Sequence, residues 1–229
     1  MGKIMLIEGE SGSGKTCSLR NFNKEDVAIF NTSGKPLPFK KEMAVANNVG
    51  YATIKQKLRE NSRNCYVLDD IGLAMTFYLF DHVMETGYGK FTQAAKDFYD
   101  LVQCAIRETS DDTTIYFIMH VERSEDGSKI KAKTAGKMID NQLTLESLFS
   151  IVLMCVTDGK RHYFVTQSDG VTTAKSPMDM FPLEIDNDLA EVDMTIREYY
   201  GMAPINKVEK KEKAAKVATT TDKVPEVGK

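Results

Sequence analysis

The segment Gly9-Glu10-Ser11-Gly12-Ser13-Gly14-Lys15-Thr16 constrains the fold most, because it matches the spacing G-x-x-x-x-G-K-[ST]. Apolar residues 3–8 predict a buried strand that runs into it, and residues 17–22 are compatible with a helix that follows. In such a unit, glycines let backbone N–H groups surround phosphate oxygens. The alternative is a plain Gly/Ser-rich turn before a helix, but the four fixed positions and both flanks favour a loop that binds a nucleoside triphosphate.

The spacing also assigns roles to individual side chains. Lys15 is expected to reach the β- and γ-phosphates and to act in catalysis, and the Thr16 hydroxyl to ligate Mg²⁺. Cys17 has two interpretations, a small packing residue beside the nucleotide or a thiolate favoured by a helix N-terminus. The predicted nucleotide contacts are therefore Gly9, Glu10, Ser11, Gly12, Ser13, Gly14, Lys15, Thr16 and Cys17.

Length and composition limit the remaining possibilities. A chain of 229 residues suits one domain, predicted over residues 1–205. Residues 206–229 are rich in lysine and poor in large apolar side chains, so a disordered tail is expected there. No apolar run approaches the roughly 20 residues that a membrane span needs. The four cysteines form no C-x-x-C pair, which is typical of a reducing cytosol, and the cysteines and histidines together make no zinc-ligand pattern. A cytoplasmic protein is predicted.

Strand and helix patterns alternate along the chain. Further strands are predicted at residues 27–30, 65–70, 113–120 and 150–156, and helices at 51–60, 73–84, 94–105 and 143–149. A polar, lysine-bearing loop is expected between residue 120 and about residue 137. Asp158-Gly159 predicts a turn into residues 161–166, and so an antiparallel hairpin. The fold class is therefore α/β, with a mostly parallel sheet flanked by helices and a C-terminal antiparallel hairpin.

Acidic and basic side chains lie at the ends of two of these strands or just after them. Ligands of open α/β sheets bind where parallel strands end, so Asp69 is a candidate Mg²⁺ ligand there. Asp70 is either a residue that orients and deprotonates the attacking water or a helix N-cap. His120 is either a sensor of the γ-phosphate or of the catalytic water, or a hydrogen-bonded structural residue. Glu122 is an alternative base.

Two groups of cations are candidates for contacts outside this site. Lys129, Lys131 and Lys133 alternate, so an extended strand would present all three on one side, which suits a nucleic-acid backbone. The alternative is a solvated loop. Lys160 and Arg161 are predicted at the hairpin tip without an obvious partner in the same molecule. They either contribute to solubility or complete the site of a neighbouring subunit.

An ordered set of segments carries a resemblance to a known family. It comprises the loop at 9–16 and residues 34–39, 67–70, 87–92, 119–122 and 136–140. Together they resemble bacteriophage RecA-like ATPases of the AAA-type "ATP-binding protein" group, which includes Sak-type single-strand annealing proteins. The resemblance covers about residues 1–204.

The resemblance implies a RecA-like core, ATP with Mg²⁺, single-stranded DNA as ligand, and a role in phage recombination or replication inside the bacterial host. It also implies a homo-oligomer and a phage or host single-strand-binding protein as partner. RecA-type enzymes place a catalytic glutamate after the second core strand, whereas this chain has Asn31-Thr32-Ser33. Hydrolysis is therefore expected to use Asp70 or to be slow. The alternatives are a P-loop kinase of a nucleotide or small molecule, and a non-enzymatic ATP-dependent scaffold.

Overall fold

The apolar runs of the sequence form the strands of one sheet. The computed structural model describes residues 1–124, 126–135 and 144–205, and all elements below lie in them. The strands are β1 (Lys3–Gly9), β2 (Val27–Asn31), β3 (Ala44–Asn47), β4 (Cys65–Asp69), β5 (Thr114–Arg123), β6 (Ile130–Ala132), β7 (Ile151–Thr157), β8 (His162–Val165) and β9 (Glu184–Asp186). The α-helices are α1 (Tyr51–Glu60), α2 (Gly72–Asp81), α3 (Gly89–Arg107) and α4 (Leu189–Tyr200). Two 3₁₀ helices span Thr16–Asn21 and Leu145–Leu148.

The strand order is β3-β2-β4-β5-β1-β7-β8-β9. The pairings from β3 to β7 are parallel, and β8 and β9 continue the sheet with antiparallel pairings. β6 pairs with the end of β5 as an antiparallel hairpin. The predicted fold class is therefore confirmed: a mostly parallel sheet flanked by helices, with antiparallel strands at its C-terminal side.

Apolar residues on both faces of β1 explain the layers of the fold. Ile4 and Leu6 belong to the core on one face, where α1, α2 and α3 pack, while Met5 and Ile7 belong to the core on the other face. Successive side chains of a strand point to opposite faces, so a strand with consecutive apolar residues must be covered on both faces. α4 and the 3₁₀ helix after the glycine-rich loop cover the second face. Among the described residues, no helix is both long and apolar enough to cross a membrane.

Several predicted elements are confirmed and others need correction. The predicted helices over 51–60 and 94–105 are present as α1 and α3, and the 158–159 turn joins β7 to β8. The helix after the glycine-rich loop is a six-residue 3₁₀ helix. The polar loop predicted after residue 120 is wrong in part, because β5 continues to Arg123 and returns as β6. β3, β9 and α4 are absent from the sequence predictions. Residues 136–143 and the predicted tail at 206–229 lie outside the described residues.

The register brings residues at or near the carboxyl ends of four strands to one edge of the sheet. Gly9, the last residue of β1, pairs with His120 of β5 and with Cys155 of β7. Asp69, the last residue of β4, lies one strand further away, beyond β5. Residues that follow these strands in sequence therefore meet in space at this edge.

Candidate functional site

The glycine-rich loop leaves β1 through a space that only glycine fits. A Cβ atom at Gly9 would lie 2.5 Å from the Cys155 carbonyl oxygen and 2.6 Å from Ser13 Oγ. Gly14 has a φ of +101°, a conformation that other residues adopt at a cost. The first and last glycines of the motif are thus fixed by packing and by backbone conformation, which explains why the loop requires them at this spacing.

Lys15 is the buried cation of the loop, with 5% of its surface exposed. Its ammonium donates hydrogen bonds to the carbonyl oxygens of Gly9 at 2.9 Å and Glu10 at 2.8 Å. Burial lowers the pKa of Lys15, although nearby carboxylates, first among them Asp70, oppose the shift. The ammonium therefore lies inside the curve of the loop, where a phosphate group would replace its contacts with carbonyl oxygens.

Thr16 and Asp69 meet as predicted. The Thr16 hydroxyl donates to both carboxylate oxygens of Asp69, at 3.1 and 3.2 Å. Burial, together with the negative charge of Asp70, raises the pKa of Asp69 to about 6, and the Thr16 hydrogen bond and Lys15 only partly offset this. A hydroxyl and a carboxylate side by side are the hard oxygen ligands that Mg²⁺ prefers, and a buried carboxylate with a raised pKa is stabilised by a cation. This pair therefore fits Mg²⁺.

Asp70 and His120 form a second pair beside Lys15. Asp70 has a φ of +55°, and its carboxylate lies 3.3 Å from His120 Nε2. His120 Nδ1 lies 3.4 Å from the Lys15 ammonium. Because an ammonium can only donate, Nδ1 accepts, and Nε2 carries the hydrogen that is donated to Asp70. The helix N-cap interpretation of Asp70 is wrong, since α2 has Ile71 at its N-cap and no side-chain capping bond.

The hydrogen bond network keeps Asp70 ionised. Burial alone would raise its pKa, but the hydrogen bond from His120 and the nearby ammonium groups of Lys15 and Lys35 outweigh burial, and the net pKa is lowered. Adjacent acids thus have opposite shifts, Asp69 upward and Asp70 downward. Opposed shifts in neighbouring carboxylates are typical of functional sites, where the two groups have different tasks.

A cavity of about 280 Å³ opens over these groups. It is lined by the glycine-rich loop, by Asp69, Asp70 and His120, and by two regions absent from the predicted site. One is the β2–β3 loop, which contributes Lys35 and Leu37, and the other is His162 at the start of β8. Asn31 shapes the first region by donating to the Lys35 carbonyl at 2.7 Å and accepting from Gly34 N at 3.1 Å. Asn31 therefore has an organising role at the position where RecA-type enzymes place a glutamate.

The remaining predicted residues lie apart from this cavity. Glu122 is on β5, with its carboxylate 3.8 Å from the Lys131 ammonium, and this alternative base is not among the residues that line the cavity. Lys131 is in β6, and Lys129 and Lys133 flank that strand. Ala132 is buried while Lys129 and Lys133 are exposed, as alternation along an extended strand requires. The Lys129 ammonium also donates to the Gly170 carbonyl.

Lys160 and Arg161 lie in the turn between β7 and β8, as predicted. The expectation that Arg161 lacks a partner in its own molecule is wrong. Its guanidinium contacts Glu184 of β9 at 2.8 Å and Asp158 at 3.4 Å, and it lies 4.5 Å from the centre of the Tyr163 ring. Lys160 is exposed, and its backbone N–H donates to Asp158. The short strand β9, which supplies Glu184, is one of the elements that the sequence pattern did not reveal.

Comparisons with known proteins were made at the level of sequence and of structure. No protein-family model matches the sequence, and no curated protein does. Among solved structures, the chain is similar to one described as an ATPase domain, with a TM-score of 0.38 and 12% sequence identity over 71% of this chain and 75% of that chain. At this identity and score, the likeness says nothing about which residues line the site.

Proposed function

We propose that this chain binds ATP with Mg²⁺, hydrolyses it, and couples that reaction to single-stranded nucleic acid, as a RecA-like ATPase. The observation that supports this best is the convergence of Lys15, the Thr16–Asp69 pair and the Asp70–His120 pair on one cavity at the edge of the parallel sheet. Each of these groups has one of the tasks that phosphoryl transfer requires, which are to hold phosphates, to hold the metal and to orient water.

The roles follow from the contacts. The loop N–H groups and Lys15 bind the phosphates, and Thr16 and Asp69 would hold Mg²⁺, which neutralises charge on the β- and γ-phosphates. Asp70, kept ionised and oriented by His120, accepts a hydrogen bond from the attacking water. A carboxylate with a lowered pKa is a weak base, so its task is to position the water more than to remove its proton. Phosphoryl transfer through a loose transition state requires little more than that.

The β5–β6 hairpin is the proposed contact for single-stranded nucleic acid. Lys129, Lys131 and Lys133 lie on it, and β5 leads to it directly from His120. The Lys133 backbone N–H donates to the His120 carbonyl at 2.7 Å, so the base of the hairpin is bonded to the residue that contacts Lys15 and Asp70. This continuity supports a link between the nucleotide and a bound strand. The recombination or replication role, the homo-oligomer and the single-strand-binding partner remain part of this proposal.

Replacing the loop lysine tests the nucleotide part of the proposal. Lys15→Ala should abolish tight ATP binding and leave the fold intact, because among the described residues the ammonium bonds to loop carbonyls and His120 rather than packing in the apolar core. The measurement is equilibrium binding of ATP in Mg²⁺, with circular dichroism to verify folding. Lys24→Ala is the matched control, since Lys24 pairs with Glu42 on the surface. Unchanged ATP affinity in folded Lys15→Ala protein would contradict the proposal.

A triple substitution tests the nucleic-acid part. Changing Lys129, Lys131 and Lys133 to Ala should weaken binding of single-stranded DNA equally for different sequences, because phosphates carry no sequence information. Three lost phosphate contacts should also reduce the slope of log affinity against log salt by about 2. The control changes three exposed lysines elsewhere: Lys41, Lys57 and Lys96. Equal losses in both triple variants, or no loss in either, would remove the hairpin from the DNA site.

One observation favours phosphoryl transfer to an acceptor as a second candidate. A separate cavity of about 420 Å³ lies beside Asp70 and His120 and is lined by Thr76, Leu73 and Lys133. A hydroxyl compound bound there would lie next to the same carboxylate that is proposed to orient water. ATP turnover measured with and without single-stranded DNA, alongside a screen of nucleosides as acceptors, separates the two. Phosphorylated product without DNA stimulation would favour a kinase, and ATP binding without turnover in either assay would favour a scaffold.

A further inference from the structure

His162 lies against the glycine-rich loop on the side that the proposed chemistry does not use. A Cβ atom at Gly14 would lie 3.0 Å from the Cγ and Nδ1 atoms of the His162 ring, so the imidazole packs on the backbone of that glycine. His162 Nδ1 lies 2.8 Å from the Ser13 carbonyl oxygen, which can only accept, and Nδ1 therefore carries the hydrogen. The ring is thus fixed in position while much of it remains exposed.

The anchoring of Ser13 makes this arrangement rigid. Its carbonyl oxygen also accepts from Cys155 Sγ at 3.1 Å, and Asn187 Nδ2 donates to that sulfur at 3.2 Å. β7 and β8 therefore hold the loop and the imidazole in one relative position.

The segment Pro36-Leu37-Pro38 lines the same cavity from the other side of β1. It follows β2, which lies on the β5 side of β1 in the sheet, whereas His162 begins β8, on the β7 side. Leu37 packs against the apolar core, and the two prolines restrict the backbone on either side of it. The cavity therefore has a flat ring at one side and a restrained apolar wall at the other.

The order of contacts along the glycine-rich loop indicates which part of a nucleotide would lie between His162 and the Pro36–Pro38 segment. Lys15, Asp70 and His120 occupy the end of the cavity assigned above to the γ-phosphate, while the loop N–H groups hold the α- and β-phosphates. The sugar and base are attached at the α-phosphate, so they extend away from Asp70 and His120. Cys17, the next residue of the loop, lines the cavity together with His162 and Leu37.

We propose that His162 and the Pro36–Pro38 segment enclose the base of the bound nucleotide, and that this contact provides affinity with little selection among bases. This proposal rests on the proposed nucleotide binding. A π-face on one side and apolar rings on the other accept any base, because stacking depends on the face of the base and not on its hydrogen-bonding edge. The ligand class is therefore nucleoside triphosphates in general, with purines bound more tightly than pyrimidines.

Inorganic tripolyphosphate separates the base contact from the phosphate contacts, because it has the phosphates alone. Binding of a non-hydrolysable ATP analogue and of tripolyphosphate, both with Mg²⁺, is measured on the full chain. His162→Ala should lower affinity for the ATP analogue by about tenfold, as expected for loss of one stacking partner. Affinity for tripolyphosphate should stay unchanged. His162→Phe should retain affinity for the ATP analogue, since it keeps an aromatic ring and loses only the hydrogen bond to Ser13. Pro38→Ala should lower affinity for the ATP analogue less than His162→Ala does, and should leave affinity for tripolyphosphate unchanged.

The controls and contrary outcomes are distinct. His82→Ala, at a histidine that contacts Tyr78 near the end of α2, should change neither affinity. Equal losses for ATP and tripolyphosphate in His162→Ala would mean that the residue only shapes the loop, and would overturn the proposal. Unchanged ATP affinity in that variant would overturn it as well. Wild-type protein that binds tripolyphosphate and ATP equally tightly would refute the base contact but leave the phosphate site standing, whereas binding of neither would refute both.

Discussion

Two buried aspartates at opposite ends of the parallel strands show how a structural acid differs from a functional one. Asp193 of α4 is 1% exposed and Asp69 at the end of β4 is 3% exposed. Asp193 accepts hydrogen bonds from Arg197 Nε at 2.6 Å, from the Thr114 hydroxyl at 2.6 Å and from the Tyr116 hydroxyl at 2.8 Å. Asp69 accepts from the single hydroxyl of Thr16.

The difference lies in what neutralises each charge. The other guanidinium N–H groups of Arg197 donate to the carbonyl oxygens of Asn64, Asp112 and Ala203. The charges and hydrogen-bond donors of the Asp193–Arg197 pair are therefore matched within the chain. Asp69 has a second acid beside it and a pKa raised to about 6. A buried charge without sufficient partners is costly unless something supplies the missing positive charge. A cation bound beside Asp69 would therefore supply the positive charge that the fold itself does not provide.

The largest expected effect comes from breaking the Asp193–Arg197 ion pair. Arg197→Met should lower the free energy of unfolding by about 3–5 kcal/mol, because it leaves Asp193 buried and uncompensated. Urea unfolding measures the loss, and ATP affinity of the folded fraction should not change. Arg59→Met is the control: the Arg59–Glu108 ion pair is on the surface, and such pairs contribute little. Similar stability losses in both variants would show that the network on α4 is no more important than a surface ion pair.

The surroundings of Asp69 can be predicted from the sequence, whereas those of Asp193 cannot. The Thr16–Asp69 and Asp70–His120 pairs were predictable because the loop motif and the strand ends are local patterns, and parallel strands end at one edge. The Asp193 network joins α4 to residues of β5 that are 77 and 79 positions away in sequence. No local pattern encodes such a pairing, which depends on how α4 packs on the sheet.

Some missed features had local signals, whereas others had none. α4 begins at the N-cap Asp188 and ends at Gly201 with a φ of +64°, and Leu189, Val192 and Ile196 give it an apolar face. Those signals were sufficient to predict the helix. The approach of His162 to Gly14 had no such signal, because it depends on the path of a loop and on the register of β7 against β1.

Glu8 is a third buried acid, with fewer hydrogen bonds than the other two, and it sharpens the comparison through pH. The Thr173 hydroxyl donates to Oε1, while Oε2 has no hydrogen-bond partner among the described residues. Burial raises its pKa from 4.5 to about 8, with the Thr173 bond opposing and Glu146 adding to the shift. The folded state therefore holds the proton more tightly than the unfolded state, and stability falls as pH rises from about 4.5 to 8.

Glu8→Gln should remove that part of the pH dependence. Relative to wild type, the variant should gain about 3 kcal/mol in unfolding free energy between pH 5 and pH 8, since one proton corresponds to about 1.4 kcal/mol per pH unit. Urea unfolding at a series of pH values measures it. Asp69 has the same sign but acts below about pH 6, so Asp69→Asn serves as the control for the upper part of the range. Parallel curves for wild type and Glu8→Gln would mean that Glu8 is ionised in the fold.

The smallest expected effect comes from replacing Asp69. Asp69→Asn should weaken Mg²⁺-dependent ATP binding by about 10- to 100-fold, the loss already caused by removing a group that only orients a metal ligand. It should not lower stability, because the change removes a buried charge whose hydrogen bonds, among the described residues, come from the Thr16 hydroxyl. For wild type, Mg²⁺-dependent affinity should fall as pH drops below about 6, because the cation requires the ionised carboxylate and the proton competes for it. Titrations with Mg²⁺ and with EDTA, from pH 5 to pH 8, measure both effects. A stability loss as large as that of Arg197→Met, with unchanged Mg²⁺ dependence, would place Asp69 with Asp193 as a structural acid and remove the distinction between them.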